Sequence, residues 1–144
     1  MAAVQWGRFE TVCGVATTVA DQRVALIGSH EKRALNEASE LDGMLCYQRV
    51  RADSAALPAL PFLIEALDEV FESVAVETLN LIRGLAACVR WLSIERPSTF
   101  KATGWIAELE AELNDHATRW ERMSEHSSRE VAEYADGILE ALSA

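Results

Sequence analysis

The stretch SAALPALPFLIEALDEVFESVAVETLNLIRGLAACVRWLSI, residues 54–94, decides the fold. Its apolar residues recur at steps of three and four, which places them on one face of a helix with 3.6 residues per turn. The pattern runs twice, with Glu72 and Ser73 at the join and Ser73 as the predicted N-cap of the second helix. Two adjacent amphipathic helices with a short join form an αα-hairpin. We therefore expect a helical hairpin at the centre of the chain.

Two interpretations fit the start of the first hairpin helix. Pro58 and Pro61 fall near it, and proline is well accommodated only in the first turn of a helix. The helix either begins near Ala59, or begins at Ser54 and bends at Pro61, which is the version we favour. Asp53 or Ser54 supplies the predicted N-cap, since a short side-chain oxygen accepts free N–H groups of the first turn.

The segments on both sides of the hairpin also carry helical patterns. Predicted helices cover residues 3–13, 19–27, 31–46 and 100–124, and a last one follows the S-x-x-E capping box of Ser127 and Glu130. Predicted loops are GVATT (14–18), the exposed turn YQRVRA (47–52) and Arg96–Pro97–Ser98. No segment alternates with period two over a useful length, so we expect no sheet. The sequence predicts one all-α domain over residues 1–144, with about seven helices in stacked antiparallel hairpins.

The charge of the chain limits its partners. The formal net charge is −10, and residues 104–144 carry 10 acids against 3 bases. A field of this sign repels nucleic acid and anionic lipid and attracts basic partners. No run of eighteen uncharged apolar residues occurs, and no secretory signal is apparent, so we expect neither a membrane span nor export. Three widely spaced cysteines with apolar neighbours suit buried thiols in the cytoplasm.

The motifs that carry chemistry are missing from the sequence. It contains no HExxH, Walker A or GxGxxG pattern, and no set of nucleophile, base and orienting group converges. His126 with Glu121 and Glu125 has the spacing of a weak metal site, but dedicated sites need three or four convergent ligands, so a surface histidine is favoured. We expect a protein that is not an enzyme and that uses no cofactor or metal.

Two groups of carboxylates are the best candidates for a binding site. One crowds the end of the first hairpin helix and the other forms a stripe beside the apolar face of helix 100–124, with a tryptophan near its start. Like charges one helical turn apart repel each other weakly, and a basic partner would relieve that repulsion and associate faster. A solvated helix face is the alternative interpretation. The candidate partner-binding residues are Glu65, Asp68, Glu69, Glu72, Trp105, Glu108, Glu112 and Asp115.

The sequence resembles a group of bacterial HEAT-like helical-repeat proteins. The similar features are a tryptophan, a G-x-A-T loop, an L-C-H-Q-type turn and an A-x-P-F-L helix. They correspond here to Trp6, Gly14–Thr17, Leu45–Gln48 and Ala55–Leu63, with Phe9, Leu26, Arg33–Ala34 and Leu41 between them. Tyr47 stands where that turn usually has histidine, and Arg49 where it usually has glycine. The resemblance covers about the first two thirds of the chain. It implies a right-handed superhelix whose concave surface binds.

Members of this group occur among the immunity proteins of bacterial toxin systems. The resemblance therefore implies a non-enzymatic protein that neutralises a cognate toxin by occluding it, here through an acidic helical surface. Two alternatives remain open. The first is a scaffold or adaptor for another bacterial complex, and the second is an acidic mimic that blocks a nucleic-acid-binding protein.

Overall fold

The computed structural model describes residues 10–11, 14–15, 30–47, 51–52, 54–68, 71–98 and 104–143. Helices dominate these ranges, which confirms the all-α class, with six helices in the described residues where the sequence predicted about seven. The six are α1 (Glu31–Leu45), α2 (Ala56–Ala66), α3 (Glu72–Glu95), α4 (Gly104–Asp115), α5 (Ala117–Ser124) and α6 (Arg129–Leu142). The helix predicted over residues 19–27 lies outside the described residues. No helix within the described ranges has both the length and the apolar character needed to cross a bilayer.

Two very short antiparallel ladders accompany the helices, where the sequence analysis expected no paired strands. Their strands are β1 (Glu10–Thr11) with β2 (Gly14–Val15), and β3 (Cys46–Tyr47) with β4 (Arg51–Ala52). β1 lies inside the helix predicted over 3–13, which is therefore wrong at those two residues. The predicted turn at 47–52 is closed by the second ladder. Two residues per strand are too few for an alternating pattern to be detected.

Helices α3 and α6 pack against each other, and contacts at three levels show that they are parallel. The first turns of both helices line one cleft. Halfway along, the guanidinium carbon of Arg83 lies 4.4 Å from the centre of the Tyr134 ring. At the far end, Ile94 and Ala141 line one groove. Because the contacts advance in the same direction along both helices, α3 and α6 run parallel to each other and do not form a hairpin.

Helix α1 also packs against α3. The Ser73 hydroxyl of α3 donates a hydrogen bond to the Glu31 carboxylate of α1, which joins the starts of the two helices. One turn further on, Leu35 and Val76 line the same cleft. Helices α1, α3 and α6 therefore form a parallel layer with α3 in the middle.

Helices α2 and α4 pack together as a second layer. Asp68, just after α2, pairs at 2.7 Å with Arg119, near the start of α5. The ends of α2 and α4 therefore lie on the same side of the molecule. Since α2 leads into α3 through the short link 67–71, the second layer runs opposite to the first.

The hydrophobic core lies between these layers. α2 and α3 together contribute most of its buried side chains. The polar side chain of Thr78 is also buried there, and its hydroxyl donates to the carbonyl of Val74 at 2.8 Å. The largest fully buried side chains are Trp120, Phe62, Leu41, Leu45, Leu60, Leu63, Leu79, Leu81, Ile82, Leu85 and Leu109. The predicted apolar stripes of the central hairpin thus supply much of the core, whereas Phe71, predicted on the first stripe, is exposed.

The first hairpin helix continues through its second proline, as the favoured interpretation required. α2 begins at Ala56, between the two predicted starts, and Pro61 lies inside it. Its N-cap residue is Ala55, with no side-chain hydrogen bond, so the predicted cap at Asp53 or Ser54 is wrong. The buried Ala55 and the apolar first turn show that core packing, rather than capping, sets this start.

Two other predicted N-caps are displaced by one or two residues. α3 begins after Phe71 rather than after Ser73, whose hydroxyl contacts α1 instead. α6 begins after Ser128, not Ser127, and the Ser128 hydroxyl accepts from the backbone N–H of Val131 at 3.5 Å. Ser127 and Ser128 are adjacent and either can act as the N-cap of α6, so the sequence alone does not choose between them.

The long helix predicted over residues 100–124 is two helices. The helix is interrupted at His116, whose φ of −102° and ψ of 16° are not helical. The carbonyl of Leu113 accepts from the backbone N–H of His116 at 3.3 Å and from the indole N–H of Trp120 at 2.9 Å. The buried indole thus replaces the backbone donor that a continuous helix would use. Hydrophobic periodicity spans the break because α5 resumes with Trp120 on the buried side.

Candidate binding site

Three glutamates lie at one end of the parallel layer. Glu31, Glu72 and Glu130 occupy the first turns of α1, α3 and α6. A helix N-terminus carries a partial positive charge of about half an elementary charge, and an acidic side chain there is stabilising. Because the three helices are parallel, carboxylates far apart in the sequence meet at one end of the fold.

A cleft of about 580 Å³ opens between these helix starts. We call it the acidic cleft, because three carboxylates and no basic side chain line it among the described residues. The carboxylates of Glu72, Glu77 and Glu130 are exposed. The residues that line the cleft are Leu35, Glu72, Ser73, Val76, Glu77, Ser127, Ser128 and Glu130.

The acidic cleft has the chemistry to receive a basic side chain. Carboxylate and hydroxyl oxygens accept hydrogen bonds from an ammonium or guanidinium group. Leu35 and Val76 supply an apolar patch on which the aliphatic stem of lysine or arginine packs. A single exposed ion pair contributes only about 0–1 kcal/mol, so the site depends on several carboxylates acting together.

A second cleft of about 460 Å³ lies next to the first and shares Glu72 with it. Its walls carry both signs of charge, and we call it the mixed-charge cleft. Asp68 pairs with Arg119, whose side chain is only 18% exposed, while Arg122 is exposed. His126 accepts from the backbone N–H of Ser128 at 2.9 Å through Nδ1. The residues that line the cleft are Leu67, Asp68, Glu72, Ala75, Arg119, Arg122, Met123, His126 and Val131.

The first predicted group of carboxylates is partly gathered at these clefts. Glu72 lines both of them, and Asp68 lines the mixed-charge cleft, where Arg119 compensates its charge. Glu65 is exposed on α2. Glu69 lies outside the described residues. The structure therefore places Glu72, of the four, in the most acidic surroundings.

The second predicted group stays on α4, away from the acidic cleft. Glu108 and Asp115 are exposed, and the Glu112 carboxylate lies 3.4 Å from Nε2 of His116. Glu108 precedes Asp115 by seven residues, which is about 10 Å of helix rise. Trp105 is half-buried and packs against the core. Of the first group, Glu72 thus lies on α3 in the parallel layer, whereas Glu65 on α2 shares the second layer with the α4 group.

Two carboxylates of the acidic cleft, Glu77 and Glu130, are not among the binding residues predicted from the sequence. In the sequence, Glu130 is explained by the capping box alone, and Glu77 is a single charge in an otherwise uncharged stretch. A signal was present: Glu31, Glu72 and Glu130 each fall in the first turn of a helix. That signal indicates a shared site only when the three helices are known to be parallel.

The described residues contain no group of three or more histidine, cysteine or carboxylate side chains arranged to hold a metal ion. His30 is exposed, and Cys88 is buried in α3, where the sequence predicted a core thiol. Cys13 and the side chain of Cys46 fall outside the described residues. No protein-family model, no curated protein and no solved structure matches this chain.

Proposed function

We propose that this chain is a non-enzymatic binding protein that receives a basic segment of a partner protein in the acidic cleft. The observation that carries the proposal is the meeting of Glu72, Glu77 and Glu130 around one opening without a basic side chain in its described lining. A lysine or arginine of the partner enters this opening, and neighbouring basic residues contact the rim. The net charge of −10 steers such a partner toward the protein.

We further propose that the helices stack as HEAT-like hairpins. The parallel order of α1, α3 and α6, and of α2 and α4, is the order expected when successive helix pairs stack in the same orientation. In this arrangement the acidic cleft belongs to the face formed by the second helices of the pairs. The resemblance described above assigns binding to the concave surface of such a stack, and we place the partner there.

The finer proposal is that the partner is a bacterial toxin and that this protein is its cytoplasmic immunity protein. It rests on the resemblance together with the acidic cleft. Occlusion requires only a complementary surface, so it needs no catalytic residue on this chain. A toxin that acts on nucleic acid carries a basic surface to bind phosphates, and an acidic inhibitor suits that surface.

The scaffold or adaptor hypothesis is favoured by a separate observation. An apolar groove with an exposed isoleucine lies at the opposite end of α3 and α6. Binding through that groove would be insensitive to the charge of the acidic cleft. The nucleic-acid-mimic hypothesis requires carboxylates spaced along a long surface, and the clustering of Glu72, Glu77 and Glu130 in one opening favours the basic-segment proposal over it.

The test compares two triple variants with the same change in charge. A basic protein encoded beside this gene is expressed in a bacterial host with the wild-type chain, with E72K/E77K/E130K, or with E108K/E112K/D115K. Binding is measured with the purified proteins, and growth of the host reports whether the chain neutralises its partner.

We expect the cleft variant to lose binding by about a hundredfold or more, since three ion pairs become three repulsions. The α4 variant should retain protection of the host and most of its affinity. Loss of binding in the α4 variant alone would move the site to the stripe predicted from sequence. If both variants kept the same affinity for the partner as the wild-type chain, recognition by charge would be contradicted. Circular dichroism confirms that each variant is folded.

A further inference from the structure

The ends of α3 and α6 form an apolar groove of about 340 Å³. Trp91 and Ile94 line it from α3, and Ala141 lines it from α6. Ile94 is 58% exposed, and only one other large apolar side chain in the described residues, Phe71, is comparably exposed, at 53%. Ile94 is exposed to solvent beside a tryptophan. The free energy is lowered when a second apolar surface covers both side chains.

Two opposite charges flank this groove on different helices. Arg90 lies on α3 and Glu140 lies on α6. The Nη1 atom of Arg90 is buried and has no hydrogen-bond partner among the described residues. That atom is closed to a partner, but Arg90 as a whole is partly exposed, so a carboxylate brought from outside can pair with its guanidinium group.

These features are self-complementary, and we propose that the groove is the interface of a homodimer. In a two-fold interface, residue i of one copy contacts residue j of the other, and residue j of the first contacts residue i of the second. An axis through the groove places Arg90 of each copy against Glu140 of the other. Trp91 and Ile94 then pack against their own counterparts and form the apolar centre of the interface.

The proposed interface is independent of the acidic cleft. Ile94 lies twenty-two residues after Glu72 on the same helix, which is about 33 Å of helix rise. A dimer formed through the groove leaves both acidic clefts open and pointing away from the axis. Each dimer therefore presents two binding sites, and failure of either proposal leaves the other standing.

Sedimentation velocity of the full chain tests the dimer. Samples up to about 100 µM are measured in about 0.15 M salt, where the Debye length of about 8 Å limits repulsion between two copies of a chain this acidic. The variants are I94D, the matched control F71D, E140R, and the charge exchange R90E/E140R. Ile94 and Phe71 are both exposed, so aspartate at either position is compatible with folding.

We expect the wild-type chain and F71D to sediment as dimers, and I94D to weaken the dimer by at least about tenfold. E140R should weaken the dimer as well, because it sets two cations against each other. R90E/E140R should recover most of that loss. A wild-type monomer at every concentration, equal effects of I94D and F71D, or an exchange no better than E140R alone would overturn the proposal.

Discussion

The two ends of the parallel layer differ in chemistry although the same helices, α3 and α6, form both. At their starts, Glu72 and Glu130 stand beside serine hydroxyls around the acidic cleft. At their ends, Trp91, Ile94 and Ala141 form an apolar groove. The first end is suited to a basic segment and the second to an apolar surface.

This difference follows from the direction of the helices. In an antiparallel pair, the start of one helix meets the end of the other, so acidic first turns are spread over both ends of the pair. In the parallel layer, like ends meet, and the positive helix starts draw acidic residues to one side. A preference that stabilises each helix singly thus becomes a shared acidic surface when the helices stack.

The largest loss of stability is expected from a core substitution in α5, the helix beside the clefts. Trp120 is fully buried on α5, which packs against α6 beside the clefts. We expect Trp120→Ala to reduce the free energy of unfolding by about 3–5 kcal/mol, because it leaves a cavity. Urea unfolding followed by circular dichroism measures the change.

Trp120→Phe is the matched control for this variant. It retains an aromatic ring but loses the indole N–H that donates to the Leu113 carbonyl. The free energy of unfolding should fall by about 1–2 kcal/mol, because one buried hydrogen bond and part of the packing are removed. A change below about 1 kcal/mol for Trp120→Ala would contradict the placement of Trp120 in the core.

The middle of the layer offers a test of the parallel register of α3 and α6. A Cβ at Gly137 would lie 2.7 Å from Cδ of Arg83, so Gly137→Ala forces the arginine away from Tyr134. We expect a loss of about 1 kcal/mol in the free energy of unfolding, in spite of the better helix propensity of alanine. Thermal unfolding measures it.

The sign of the Gly137→Ala effect should reverse when Arg83 is truncated. In an Arg83→Ala background the clash is gone, and Gly137→Ala should stabilise by about 0.5–1 kcal/mol through the backbone. The same destabilisation in both backgrounds would show that Arg83 does not pack against Gly137.

A smaller effect is expected at the cap of α6. Ser128→Ala should lower stability by about 0.5–1 kcal/mol, because the N–H of Val131 loses its acceptor. Ser127→Ala is the control, since both serines line the acidic cleft but only Ser128 caps the helix. If Ser127→Ala were the more destabilising change, measured by chemical denaturation, the capping box predicted from sequence would be right after all.

The smallest change in stability is expected when a glutamate is neutralised at either end of α3. Glu72 lies in the first turn of α3 and Glu95 is its last residue. Glu72→Gln should cost about 0.3–1 kcal/mol, because a favourable interaction with the helix dipole is lost, whereas Glu95→Gln should be neutral or slightly stabilising. Both differences should shrink in high salt, and equal effects of the two changes at low salt would remove the dipole explanation.

Prediction from sequence succeeded where one helix carries its own pattern. Within residues 54–94, Leu79, Ile82 and Leu85 follow the three-residue spacing that predicts α3, and each of these side chains is buried. Pro61 was also correctly placed inside a helix. These features depend on local periodicity and on the proportion of apolar residues, which the chain displays directly.

Prediction failed where a tertiary contact decides the local structure. The break at His116 depends on the indole of Trp120, which reaches back seven residues to the carbonyl of Leu113. The acidic cleft depends on the parallel stacking of helices whose starts are about 40 and 60 residues apart in the chain. Neither the contact nor the direction of stacking has a signature in hydrophobic periodicity.

The most direct test of the central claim is an NMR titration with a short lysine- and arginine-containing peptide, monitored by backbone amide shifts. We predict that the largest shifts fall at residues 72–77 and 127–130, around the acidic cleft, and that they vanish in E72K/E77K/E130K. Shifts confined to residues 108–115 of α4, or no shifts at any amide, would contradict the claim that the parallel helix starts form the binding site.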